Sequence, residues 1–312
     1  MKLRNALGAA VGAVGTAAVA NRVLQSRADE FEPFLHGDQR TYRWRGFDVA
    51  YTEAGDPDDP DLVLLHGVNA AASNHEFHAV FDALAEDHHV IAPDLPGFGH
   101  TDRPPLLYSA SIMTTFVRDF LTDESEDATV VASSLTGAYA AMAARDVDVE
   151  ELILICPTDT SMGGRSVPRR SLVRAPVVGQ AIYNLIGSKA SIRHFHADHG
   201  YYDMGKLSEA VVDYEWQSAH QPGARFAPAS FISGFLDPEE DLGDVLEDLD
   251  VPITLVWGED ADITPLADGR VLADEADATL VVFGDSLLLP HVEHPEEFVD
   301  VVRGETVTVD VE

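Results

Sequence analysis

The residues best suited to chemistry lie in the run V-V-A-S-S-L-T-G, Val130 to Gly137. An apolar stretch ends in small residues, presents Ser134, and passes into the helix-forming A-Y-A-A-M-A-A-R. This is the form of a nucleophile elbow, where a strand turns so sharply into a helix that the central side chain is pushed into the open. Residues two before and two after must be small, because the backbone passes close to its neighbours there. Ala132 and Thr136 meet that need for Ser134, whereas Ser133 would put Val131 and Leu135 at those places. The helix N-terminus behind Ser134 offers the Leu135 amide to a developing oxyanion. Serine at such a position points to acyl transfer, and it needs a base.

The elements that must hold this elbow alternate along the chain. T-Y-R-W-R and F-D-V-A-Y-T-E-A-G read as strands with a turn near Gly46, and D-L-V-L-L-H-G as a short buried strand. A helix is expected over Asn74 to Ala85, a strand at H-H-V-I-A-P-D, a helix over Ser109 to Thr122, then the elbow strand and helix and the strand E-L-I-L-I-C-P. After Pro157 the alternation breaks for a stretch too long to be a plain loop, and helix-like pieces with aromatics fill it. It resumes with P-I-T-L-V-W-G, a helix from Leu266 to Ala276, A-T-L-V-V-F-G and a last helix from Pro295 to Val302. Such alternation means an α/β fold with a mainly parallel, doubly wound sheet of about eight strands. The inserted block becomes a helical cap over the strand ends, where ligands bind in such sheets. The expected division is an apolar N-terminal segment over 1–24, a polar linker over 25–40, core over 41–157, cap over 158–245, core again over 246–304, and an acidic tail over 305–312.

Composition narrows the setting. Asp and Glu number 54 against 20 Lys and Arg, a net charge of −34 over 312 residues. A general acidic coat points to adaptation to high salt, where repulsion is screened, and excludes nucleic-acid binding, which needs a basic face. The one cysteine, Cys156, lies in an apolar run and reads as a buried structural thiol. Residues 6–20 carry no charge and are flanked by Lys2, Arg4, Arg22 and Arg27. They suggest a membrane anchor, with a cleaved secretory signal or a soluble or interfacial helix as the other readings. Localisation is then membrane-associated or cytoplasmic, in a high-salt organism; oligomeric state is open.

Four landmarks stand in order: H-G-V-N from His66, D-L-P-G-F-G-H-T-D-R-P from Asp94, the elbow, and W-G-E-D-A-D-I-T-P from Trp257 followed by P-H-V-E-H-P-E-E-F. With them the chain resembles the α/β-hydrolase family from about Thr41 to Gly304. The resemblance implies that Val68, after His-Gly, supplies a second oxyanion amide beside Leu135. Relatives that open epoxides or displace halides carry aspartate at the elbow, so Ser134 implies an esterase-like enzyme acting on an apolar acyl substrate. The Asp94 segment reads as structural.

The remaining partners depart from the family pattern. Counting back four from Pro265 lands on Ala261, leaving Asp262 as the acid if the loop shifts by one, or a helix cap if it does not; Asp159 is a second candidate. Counting back five from Glu293 lands on Leu288 where the family carries its histidine, with His291 as a possible substitute base. A cap histidine from His194, His196 or His199 could reach down to Ser134, while their H-x-H-x-x-H spacing does not suit a metal. His75 and His78 follow the H-G-V-N turn and read as partly buried structural residues. No cofactor and no metal is called for. The competing function is an inactive relative that keeps the fold to bind a small molecule or a partner.

Overall fold

The computed structural model describes residues 2–28, 31–161 and 163–305, with side chains from residue 15 onward. Eight strands form one sheet: β1 (Asp38–Trp44), β2 (Phe47–Ala54), β3 (Asp61–Leu65), β4 (His89–Pro93), β5 (Thr129–Ser133), β6 (Glu151–Ile155), β7 (Ile253–Gly258) and β8 (Thr279–Phe283), in the order β1-β2-β4-β3-β5-β6-β7-β8. β1 and β2 close a hairpin through Arg45 and Gly46, both at positive φ, and β2 runs antiparallel to β4; all other pairs are parallel. The apolar runs of β3, β5 and β6 are buried on both faces, as strands covered by helices on each side must be.

One core layer packs α3 (Ala110–Glu124) and α4 (Leu135–Ala143) against the sheet. α10 (Leu242–Glu247) and α11 (Leu266–Ala276) extend that layer. The opposite layer uses α2 (Phe81–Leu84) and α13 (Pro295–Val302), preceded by the short α12 (Pro290–Glu293). Between β6 and β7 stand the cap helices α5 (Val167–Arg174), α6 (Val178–Ile186), α7 (Lys189–Phe195), α8 (Glu209–Ala219) and α9 (Phe226–Phe231), with a π turn at His196–Gly200. Because β3 lies between β4 and β5, chain direction reverses across it, and the crevice at these strand ends is where such sheets bind ligands.

Three expectations need correction. The helix expected over Asn74 to Ala85 is broken into a 3₁₀ turn, Asn74–Phe77, and α2. Asn74 causes the break: its amide donates to Asp94 and its side chain to Ala92 O, fixing the chain against β4. The linker expected over 25–40 is not free. α1 (Lys2–Arg27) enters it from one side and β1 from the other. Between them Phe31 stacks on His100 at 4.1 Å, and Phe34 meets His75, His78 and Tyr214 edge-on.

The expected N-terminal segment is a helix, held to the cap where Asn21 donates to Val177 O and accepts from Asn184. Among the described residues no helix is long and apolar enough to cross a membrane. Of the anchor expected over 6–20, the side chains of 6–14 lie outside the described residues, as does the expected tail from 306 onward.

Candidate active site

The elbow has the expected form. Ser134 joins β5 to α4 at φ 53° and ψ −131°, a combination that L-residues rarely adopt. The turn is held because Ser134 N donates to Ile155 O at 2.8 Å and Gly137 N closes on Ser134 O at 2.9 Å. A Cβ at Gly137 would sit 3.0 Å from Pro157, which explains the small residue there. Thr136 does more than stay small, since its buried hydroxyl donates to His66 O at 2.7 Å and ties α4 to the end of β3. The Ser134 side chain is part-exposed and hydrogen-bonds to nothing among the described residues. Ser133 points elsewhere, buried beside Gly67 and Glu76.

The H-G-V-N turn passes directly beside Ser134. A Cβ built on Gly67 would lie 3.4 Å from that of Ser134. His66 fixes the turn from within, its Nδ1–H donating to Gly67 O at 2.7 Å while Nε2 accepts from Leu95 N at 3.0 Å. Burial lowers the His66 pKa to about 4, so the imidazole stays neutral in this role. Glu76 holds the turn from behind by accepting from Gly67 N at 2.9 Å, and burial raises its pKa. The amides of Val68 and Leu135, both in buried residues, donate to no acceptor among the described residues. Buried backbone N–H groups are nearly always paired, so these two amides, one on the residue after Ser134 and one on the residue after Gly67, stand out as open donors.

The acid and base positions are different. Ala261 is buried with Cys156 and Trp257, and Leu288 packs against the same cluster. Asp262 stands outside this cluster with its side chain half exposed. Burial pushes the Cys156 thiol up to about 12, which suits an inert core residue.

Asp262 and His291 are not brought together. Both Asp262 oxygens lie 3.0 Å from His199 Nδ1, and Leu288 N donates to His199 O at 3.3 Å. His291 is fully buried against Phe77 and Phe298, 3.7 Å from Glu76 Oε1, with neither ring nitrogen bonded. Burial and neighbouring His78 lower its pKa to about 3, and the ring has no exposed surface. Asp159 accepts from Leu242 N at 3.1 Å at the start of α10.

Sequence reasoning missed a buried polar bridge between core and cap. Glu215 on α8 lies 2.9 Å from His196 Nε2 and 3.2 Å from His75 Nε2, and His75 Nδ1 meets Ser73 at 2.7 Å. Burial alone would raise the Glu215 pKa, but hydrogen bonds and charge from His196 and His75 outweigh it and bring the group down to about 2. The partners are 140 and 19 residues from Glu215, so no local pattern announces them. Glu215 and His196 also line a mostly apolar cavity of about 180 Å³ between the cap and Asn69–Ala70, with Ile186, Ile192 and Phe231. Among the described residues no group of three or more His, Cys, Asp or Glu side chains is arranged so that it could hold a metal ion.

Comparison with known proteins defines the class. A model of the alpha/beta hydrolase family matches residues 62–301, and the chain belongs to that family. It is 27% identical over 256 residues to 2-hydroxymuconate semialdehyde hydrolase of a Pseudomonas species, covering 77% of this chain and 84% of that one. An uncharacterized hydrolase of Saccharomyces cerevisiae is 46% identical, but only over 59 residues, 19% of this chain and 20% of its own length. A solved serine hydrolase involved in carbazole degradation superposes with a TM-score of 0.69 at 20% identity, covering 86% of this chain and 98% of that one.

Proposed function

We propose that this protein hydrolyses an ester or related acyl bond of an uncharged, apolar small molecule, with Ser134 as nucleophile and the amides of Val68 and Leu135 holding the oxyanion. One observation carries the reading: a part-exposed serine at a strained elbow stands beside two buried residues, Val68 and Leu135, whose amides donate to no acceptor among the described residues. The described walls of the cavity suit an apolar acyl group, since Glu215 lines it and no Lys or Arg does. With Ala261 and Leu288 in the relay positions, turnover is slow. Oxyanion and binding contributions alone leave roughly 10³–10⁴-fold over water when a triad member is missing. Asp262 and His199, whose carboxylate oxygens and Nδ1 lie 3.0 Å apart, are the proposed route for the proton.

The test is turnover of p-nitrophenyl butyrate in molar potassium chloride by the native chain and by Ser134→Ala. Slow turnover that vanishes in the variant is expected, and equal rates reject the reading. One observation favours a second reading, a non-catalytic binder: the apolar cluster of Cys156, Trp257 and Ala261, closed by Leu288, has replaced both relay partners together. We also read the net charge of −34 as adaptation to high salt. The urea midpoint then rises steeply with potassium chloride, and a flat dependence removes this reading.

A further inference from the structure

Acidic residues are spread through this chain except in two places. Residues 1–28 and 160–197 contain none of the 54 Asp and Glu, yet hold half of the 20 Lys and Arg. The fold brings these separate segments together. α1 packs on α6 through Asn21, Val177 and Asn184, and α5 and α6 are neighbours. Arg22, Arg27, Arg169, Arg170 and Arg174 have no carboxylate partner among the described residues, whereas Arg165, Lys189 and Arg193 at the margins pair with Glu239, Asp213 and Glu209.

A second, independent property marks the same face. Eleven large apolar side chains are exposed among the described residues, and eight of them lie on α1, α5, α6 and the 106–107 loop. That loop belongs to the face because Arg174 donates to Leu106 O and Pro105 O. Leu185 is 73% exposed and Leu172 51%. Exposed aliphatics among arginines that lack a carboxylate partner are the composition of an interfacial membrane contact, where apolar tips enter the acyl boundary and guanidinium groups meet headgroups.

We propose that the acid-free face of α1, α5 and α6 docks on an anionic lipid membrane. Charge complementarity selects this occupant. The rest of the chain carries every carboxylate, and where salt leaves charge acting only at contact, this is the side whose contact with an anionic surface is favourable. A second copy placed face to face would set these five arginines, none with a carboxylate partner among the described residues, against their own counterparts. Ile186, next to Leu185, lines the apolar cavity, so a lipid-dissolved substrate would enter at the end of α6. That last step rests on the acyl-hydrolase reading, whereas docking does not.

The experiment is co-sedimentation of the full chain with phosphatidylglycerol vesicles and with phosphatidylcholine vesicles, in the same potassium chloride buffer and without substrate. Partition onto phosphatidylglycerol at least tenfold above phosphatidylcholine is expected. The doubly substituted Leu172→Glu, Leu185→Glu chain should lose at least tenfold of it, with an unchanged circular dichroism spectrum because both sites are exposed. Val271→Glu, on α11 and 56% exposed, should bind as the native chain does. Equal partition onto both lipids, undiminished binding of the double variant, or self-association in place of vesicle binding overturns the proposal. Loss of ester turnover with vesicle binding intact would reject the catalytic reading alone.

Discussion

The elbow predicts an unusual stability relation between two substitutions at one site. Ser134 holds φ at 53° with a Cβ present, and its hydroxyl bonds to nothing among the described residues. Ser134→Ala keeps the Cβ and therefore the strain, so its stability should stay within about 0.5 kcal/mol of the native chain. Ser134→Gly removes the Cβ. A non-glycine residue in such a sparsely populated region costs about 1–3 kcal/mol, and that cost disappears. Against this, glycine adds unfolded-state entropy worth about 0.4–1 kcal/mol. The net expectation is that Ser134→Gly is more stable than Ser134→Ala by about 1 kcal/mol, while both lose ester turnover. Urea unfolding of the two variants side by side in molar potassium chloride measures the difference directly, because salt effects on the shared acidic surface cancel. If Ser134→Gly proves less stable than Ser134→Ala, the elbow is not strained as described. The claim that its geometry is maintained at a cost, as functional sites maintain theirs, would then fall.

Other perturbations probe the surroundings. Gly67→Ala places a Cβ 3.1 Å from Ser133 Oγ and 3.3 Å from Glu76 Oε2, so the turn must move by a few tenths of an ångström. A stability loss of about 1 kcal/mol and a roughly 10–100-fold drop in kcat are expected, measured by urea unfolding and aryl-ester kinetics. Restoring the relay by combining Ala261→Asp with Leu288→His should raise kcat about 10²–10⁴-fold. Each single change should cost about 1–3 kcal/mol by burying an unpaired polar group, and the double change less than their sum. Glu215→Gln should cost about 3 kcal/mol, because it leaves two buried imidazoles without their carboxylate. The folded pKa of Glu215 lies below its ordinary 4.5, at about 2, so its contribution is full above pH 4.5 and is lost as pH falls toward 2. Acid titration of tryptophan fluorescence should show that loss in the native chain and a weaker one in the variant.

What could be read from the sequence, and what could not, divides along a physical line. The elbow, the H-G-V-N turn and the order of strands and helices were readable because each rests on local needs: small residues where backbones approach, apolar runs where strands are buried on both faces. The aromatic contacts of Phe31 and Phe34, the Glu215 bridge and the His199–Asp262 pair were not. Their partners are dozens of residues away, and a long-range pair leaves no periodic trace in either segment. Ala261 and Leu288 lie between these cases. Each residue count alone allows a loop shift of one position, which makes Asp262 a possible acid. Taken as a pair, they had an answer in principle. Removing one member of a buried polar pair leaves the other unsatisfied at about 1–3 kcal/mol, whereas replacing both with apolar groups can be nearly neutral. Two apolar residues at these two counts fit that rule as a pair, and Ala261 and Leu288 do share their packing with Cys156 and Trp257.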